Sequence, residues 1–177
     1  MRLVINIRIP QNIVRELNIY RKKYNPTGIS HSSAHITLVP PFILRGKFQN
    51  LTKDIASRLK SVKQFRMRID RLGWFGNQVL FIKPDCPPSL KQLHAALKKL
   101  VQEKYRLHSR DKYWTFKKYS PHITISTSST LKIRQFKREL KGFKYKKTFT
   151  VDGVSLYTRR RDGRWILKKV FLFSKSH

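Results

Sequence analysis

Apolar residues recur along this chain with two different periods, and the order in which those periods succeed one another repeats. Residues 3 to 9 read as a strand that Pro10 ends, and Ile13, Leu17, Tyr20 and Tyr24 then fall at helical intervals on one face of residues 11 to 24. Asn25-Pro26-Thr27-Gly28 breaks that helix into a loop. The loop feeds a short apolar strand, His35-Ile36-Thr37-Leu38, whose pairing Pro40-Pro41 is expected to end. Leu51, Ile55, Leu59 and Val62 mark a second amphipathic helix, and Phe65, Met67 and Ile69 alternating with Arg66, Arg68 and Asp70 mark a half-buried strand.

Val79-Leu80-Phe81-Ile82 opens a second pass through the same plan, ended by Pro84. Leu90, Leu93, Leu97, Leu100 and Val101 make a helix, His122-Ile123-Thr124-Ile125 makes a strand, and Ile133, Phe136 and Leu140 make another helix. Strands near 147 to 157 and 164 to 173 close the chain around a hairpin turn at Arg161-Asp162-Gly163. The duplication predicts an α+β fold of two pseudo-symmetric lobes, each a small antiparallel sheet with helices packed outside, with a central cleft between them. Residues 1–177 are then a single bilobal domain with halves at approximately 1–75 and 76–177. The halves meet near residues 72 to 78, where Gly73 and Gly76 flank Trp74-Phe75, and terminal strands are free to cross between lobes.

Within the repeat, one phrase carries chemistry. A strand sends alternate side chains to opposite faces, so His35 and Thr37 emerge together while Ile36 and Leu38 turn into a core, and His122 and Thr124 do the same against Ile123 and Ile125. Six His and ten Thr would give only about 0.3 His-x-Thr triplets by chance, so two copies in matching contexts point to a shared role. Two imidazoles and two hydroxyls facing one cleft suit metal-free acid–base chemistry on a phosphate, because histidine titrates near 6.5 and each hydroxyl can donate to a non-bridging oxygen.

Composition narrows the partners. Forty Lys and Arg against nine Asp and Glu give a formal net charge of +31, spread along the chain with clusters at Arg21-Lys22-Lys23, Lys144 to Lys147 and Arg159-Arg160-Arg161. Such a field attracts polyanions, RNA or DNA first among them in a cytoplasm. Cys86 is the only cysteine, so no internal disulfide forms, and no Cys/His cluster or carboxylate pair has metal-ligand spacing. The expectation is a cytoplasmic monomer with no cofactor, no metal and no membrane segment. Near the motifs, Phe42 and Tyr119 are the candidates for stacking a nucleobase, ahead of Trp114 and Phe116, and Arg45, Lys117 and Lys118 are candidates for a basic rim. His31 lies in the loop before the first motif, His94 inside a helix, and Cys86 reads as an inert thiol.

On the paired motifs, Ser120-Pro121 directly before His122, and the closing Gly163-Arg164-Trp165 strand, the chain resembles the two-histidine phosphoesterase superfamily along nearly its full length. That superfamily includes the proteins named for 2′-5′ RNA ligase activity and the RNA 2′,3′-cyclic phosphodiesterases. Tyr20-Arg21-Lys22-Lys23-Tyr24-Asn25-Pro26 and the final hairpin with Trp165 and Phe171-Leu172-Phe173 resemble its small bacterial YjcG-like branch. Ala34 and Ser126 depart from residues common at those positions, as does the high net charge, but every motif residue is present. The resemblance implies hydrolysis of 2′,3′-cyclic phosphate ends of RNA, reversible as 2′-5′ ligation, with His122 as base and His35 as acid, although pseudo-symmetry makes the roles exchangeable. Two alternatives stay open on the sequence: an RNA- or ribosome-binding protein with little catalysis, and a phosphoesterase on a small cyclic nucleotide or 2′-5′ oligoadenylate.

Overall fold

Proline, glycine and the change of apolar period divide the chain into elements largely where the pattern places them. The computed structural model describes residues 1–107 and 118–175. The first half runs β1 (Arg2–Ile7), α1 (Gln11–Tyr24), a single-turn α2 (Pro26–Ile29), β2 (Ile36–Ile43), α3 (Phe48–Leu59) and β3 (Phe65–Phe75). The second runs β4 (Val79–Pro84), α4 (Pro88–Lys104), β5 (Arg106–Leu107), β6 (Ile123–Thr127), α5 (Thr130–Glu139), β7 (Lys147–Val151), β8 (Gly153–Arg159) and β9 (Trp165–Leu172).

These strands form two antiparallel sheets, one ordered β5-β2-β1-β8-β9 and the other β6-β4-β3-β7. Each motif strand lies beside the strand that opens its own half, β2 on β1 and β6 on β4, which is the duplication expressed in space. The halves also exchange strands. β3 from the first half pairs with β4 and β7, whereas β8 and β9 from the second complete the sheet of β1 and β2. Near residues 72 to 78 the chain turns a hairpin inside one sheet at Gly76, whose φ of 55° favours glycine.

Helices are exchanged as well. α1 follows β1 but packs against β6 of the other sheet, and α4 follows β4 but packs against β2 and α3. Their apolar faces, Ile13, Val14, Leu17 and Tyr24 on α1 and Leu90, Leu93, Leu97, Leu100 and Val101 on α4, are buried in one continuous core. Among the described residues no helix is long and apolar enough to cross a membrane.

Two expectations from the sequence need correction. Pro40-Pro41 does not end the first motif strand, because β2 continues to Ile43. Val39 opposes Ile5 and Phe42 opposes Leu3, so the prolines occupy a bulge in the ladder, where a missing N–H breaks no paired bond. The strand expected over 147 to 157 is two strands in different sheets, separated at Asp152. The switch depends on Gly153, since a Cβ there would overlap the Phe171 carbonyl oxygen of β9. Phe173 N–H donates to Asp152 O at 2.8 Å and Arg8 N–H to Gly153 O at 3.2 Å, which holds the crossing chain to both neighbours.

Replacing Gly153 by Ala must therefore push β9 from β8. Gly153→Ala is expected to cost roughly 2–3 kcal/mol of stability, read as a lower midpoint in denaturant-induced unfolding.

Candidate active site

The register of both motif strands is set by what they bury. Ile36 and Leu38 are 0% exposed, Ile123 is 0% and Ile125 is 2%, so all four are committed to the core. His35, Thr37, His122 and Thr124 consequently stand half-buried on the opposite faces of β2 and β6. Each histidine sits immediately before its strand, and each is tied down in the same way. His35 Nδ1–H donates to Ser33 O at 2.8 Å, and His122 Nδ1–H donates to Ser120 O at 2.9 Å. A carbonyl only accepts, so in both neutral rings the proton is on Nδ1 and Nε2 presents its lone pair. The repeat is thus Ser-x-His-Ile-Thr, two residues longer than the His-Ile-Thr phrase alone. The side chain of Ser33 gives no sign of this role because only its backbone oxygen is used, yet its spacing from His35 matches that of Ser120 from His122.

The two imidazoles lie within electrostatic reach of each other. Burial pushes the His35 pKa below its ordinary value, and the positive charges of Arg21 and His122 push it further down, against the stabilising bond from Ser33. Burial likewise lowers the His122 pKa. The approach to the second motif is fastened to the first: Tyr119 O–H donates to Thr37 O at 2.9 Å, and its ring stacks on His94 with centroids 3.9 Å apart and planes 10° apart. His94 Nδ1–H in turn donates to Leu38 O at 2.6 Å, so α4, β2 and the segment leading to His122 form one hydrogen-bonded unit. On the other side Ser126 Oγ–H of β6 donates to Tyr24 O at the end of α1, 2.6 Å away.

The surroundings of the two rings differ. His122 rests edge-on against Phe75 at 4.9 Å and Phe81 at 5.7 Å, and those phenyl rings stack on each other at 4.2 Å. This arrangement requires Gly73, because a Cβ there would overlap the Phe81 ring. Phe75 is 40% exposed, so this aromatic cluster beside His122 reaches solvent. Beside His35 lies Arg21, only 3% exposed, whose Nη1 donates to Ser32 O at 2.7 Å and Asn18 Oδ1 at 3.1 Å. Asn18 Oδ1 also accepts from Ala34 N–H at 3.0 Å, so α1 holds the loop into the first motif on both sides of Ser33. Across the sheet from Thr37 stands Asn6, 6% exposed and with no hydrogen-bond partner at Oδ1 among the described residues, followed on β8 by Ser155 at 5%. A buried acceptor without a partner costs about 1–3 kcal/mol unless something fills it.

The remaining candidates separate clearly. Phe42 is 0% exposed and packs against Tyr105, so its ring belongs to the core and offers no face for stacking; the bulge at Pro40-Pro41 turns it inward. Tyr119 spends its hydroxyl on Thr37 and one ring face on His94, which makes it a positioning residue. Arg45 and Lys118 are exposed. Lys117, with Trp114 and Phe116, lies outside the described residues. Cys86 is half-buried and its thiol pKa is raised by burial, the opposite of an activated nucleophile. Phe75, Phe81 and Asn6 were not singled out from the sequence. Among the described residues no group of three or more His, Cys, Asp or Glu is placed to hold a metal ion.

Solved structures share this fold over nearly the whole chain. TT0787 of Thermus thermophilus is 19% identical with a TM-score of 0.69, covering 100% of both chains. A structure described as a phosphoesterase is 17% identical with a TM-score of 0.66, covering 98% of each chain. LigT of E. coli, complexed with 3′-AMP, is 19% identical with a TM-score of 0.65 and 98% of each chain covered. No curated protein matches the chain. The family model of the 2′-5′ RNA ligase superfamily matches residues 9–163, a span that takes in both motifs, and the chain belongs to that superfamily.

Proposed function

We propose that this protein is a phosphoesterase that opens the 2′,3′-cyclic phosphate ends of RNA, with His35 and His122 as the acid–base pair and Thr37 and Thr124 donating to the phosphate. One observation carries the reading: two equivalent imidazoles, close enough to feel each other's charge, each spend Nδ1–H on a backbone carbonyl and keep Nε2 for chemistry. One Nε2 takes a proton from water as the water oxygen bonds to phosphorus. The other, protonated, gives its proton to the ribose oxygen as the opposite P–O bond breaks. No other acid or base is required. His35 suits the donor role, since the Arg21 guanidinium beside it makes its imidazolium a stronger acid.

The flanking groups fit a nucleotide. The exposed part of the Phe75 ring beside His122 suits apolar contact with the terminal base. Asn6 Oδ1 can only accept, so it suits a ribose hydroxyl next to a phosphate held by Thr37. A relative of this fold, LigT, is complexed with 3′-AMP.

The decisive assay uses an RNA ending in a 2′,3′-cyclic phosphate, with a linear 3′-phosphate end and a 2′-5′-linked oligoadenylate alongside. Turnover of the cyclic end is expected, and His35→Ala and His122→Ala should each reduce it by about 10²- to 10⁴-fold. No turnover of the cyclic end by the unaltered protein would sink the reading.

The pH dependence follows from the shifts. Catalysis needs one ring protonated and the other neutral, a state most populated between the two pKa values, and both lie below their ordinary value of about 6.5. The kcat/KM profile should therefore be a bell centred on the acid side of pH 6.5. A bound phosphate anion favours both imidazolium forms, so the kcat profile should be displaced to higher pH than that of kcat/KM.

Phe81 tests why His122 titrates low. Phe81→Ala admits water beside the ring, removes part of the penalty on the charged form and should raise the His122 pKa toward 6.5, with His35 much less affected. NMR titration of the two imidazole resonances measures both.

A further inference from the structure

The β8–β9 turn carries Arg159, Arg160, Arg161 and Arg164 around a single acid, Asp162, a net charge of +3 within six residues, and all four arginines are exposed. This tip is ordered by its own bonds. Arg160 N–H donates to Arg164 O at 2.8 Å and Gly163 N–H to Arg160 O at 3.1 Å, with Gly163 at a φ of 86°. Asp162 accepts from Arg164 Nη2 at 2.7 Å and from Arg164 N–H at 3.0 Å, and lies 3.9 Å from Arg160 Nε. Arg159 Nε donates to Gly163 O at 3.4 Å.

The tip is also fastened to the active site. Trp165 N–H donates to His31 O at 3.0 Å, and His31 lies in the loop that Arg21 and Asn18 hold ahead of His35. The four residues from His31 to His35 span at most about 14 Å. A strand of a few nucleotides whose end lies between the two imidazoles is thus long enough to reach the arginines. Asp162 keeps Arg164 in place, leaving the other guanidinium groups to present planar forks that match phosphate oxygens.

We infer that this arginine tip is a binding site for the phosphate backbone of single-stranded RNA, holding the strand behind the end that enters the cleft. The inference rests on the reading of the cleft as the place where an RNA end is held. It makes a polynucleotide the substrate class, since a mononucleotide does not extend to the tip.

The test measures binding of a fluorescent ten-nucleotide RNA ending in a 2′,3′-cyclic phosphate over a range of salt. Replacing Arg159, Arg160 and Arg161 together by Ala should weaken binding roughly tenfold or more near physiological salt. It should also reduce the slope of log K against log salt by about 2, as expected for three lost phosphate contacts on a single strand. The control removes the same charge from exposed positions on and just after α3, by replacing Lys53, Arg58 and Lys60 with Ala. Equal losses in both variants would mean bulk charge alone and would overturn the inference, as would no loss at the tip. Lysine at the three tip positions should restore the slope, and failure to do so would also overturn it. If the unaltered protein hydrolyses no RNA end but the tip variant still loses its slope, the catalytic reading fails and this one stands. Hydrolysis with an unchanged slope is the reverse.

Discussion

Everything at this site depends on a strand having two faces. A histidine and a threonine two residues apart can present side by side only if the residues between and beyond them are held elsewhere, and here Ile36, Leu38, Ile123 and Ile125 are buried almost completely. Burying each of these side chains contributes about 1.5–3 kcal/mol. A slip of one residue in either strand would exchange apolar for polar on both faces, forfeiting that burial and pointing the imidazole into the core. The placement of the motif histidines and threonines is therefore fixed by hydrophobic burial on the opposite side of each strand.

A fixed register in each sheet would not by itself hold the two sheets in a constant relation. That is supplied by exchange. α1 leaves one sheet to pack on the motif strand of the other, α4 does the converse, and β3 and β8 each complete the sheet that the opposite half begins. Hydrogen bonds reinforce the exchange where it meets the motifs: Tyr119 to Thr37 O, His94 to Leu38 O and Ser126 to Tyr24 O. Sliding one sheet past the other would expose the shared core and leave these polar groups unpaired, so the separation of the imidazoles is set by the same contacts that stabilise the fold.

How far this was legible in the sequence follows from the range of each interaction. The paired His-x-Thr strands and the helices around them are local patterns of period 2 and 3.6, and these predicted the α+β class and the two motif strands. Long-range pairing left no such mark. The continuation of β2 past Pro40-Pro41 depends on a bulge opposite β1, and the division at Asp152 depends on which sheet has a free edge. For the same reason Phe42, close to His35 in sequence, is core, whereas Phe75 reaches His122 only because β3, β4 and β6 are neighbours and Gly73 leaves room for Phe81. Asn6 reads as one polar residue in an apolar strand until its register places it across from Thr37. Ser33 is the exception: its place in the repeat was visible, but its contribution is a backbone oxygen, to which the identity of the side chain gives no clue.

Charge and the proposed catalysis pull in opposite directions here. A protein with a formal net charge of +31 attracts anions from a distance, yet positive surroundings disfavour the imidazolium that the proposed mechanism requires of one histidine. Beside His35 the conflict is explicit, since Arg21 is buried at the base of the same loop and lowers the histidine's affinity for a proton. On the proposed reading an anionic phosphate between the rings would resolve it, because its charge would offset both cations and stabilise a proton on one Nε2. Both rings of the free site hold a proton less readily than an ordinary imidazole. Aromatic walls at His122 and a buried guanidinium near His35 produce that effect by different means, desolvation on one side and like charge added to desolvation on the other, so two halves of similar backbone need not be equivalent in chemistry.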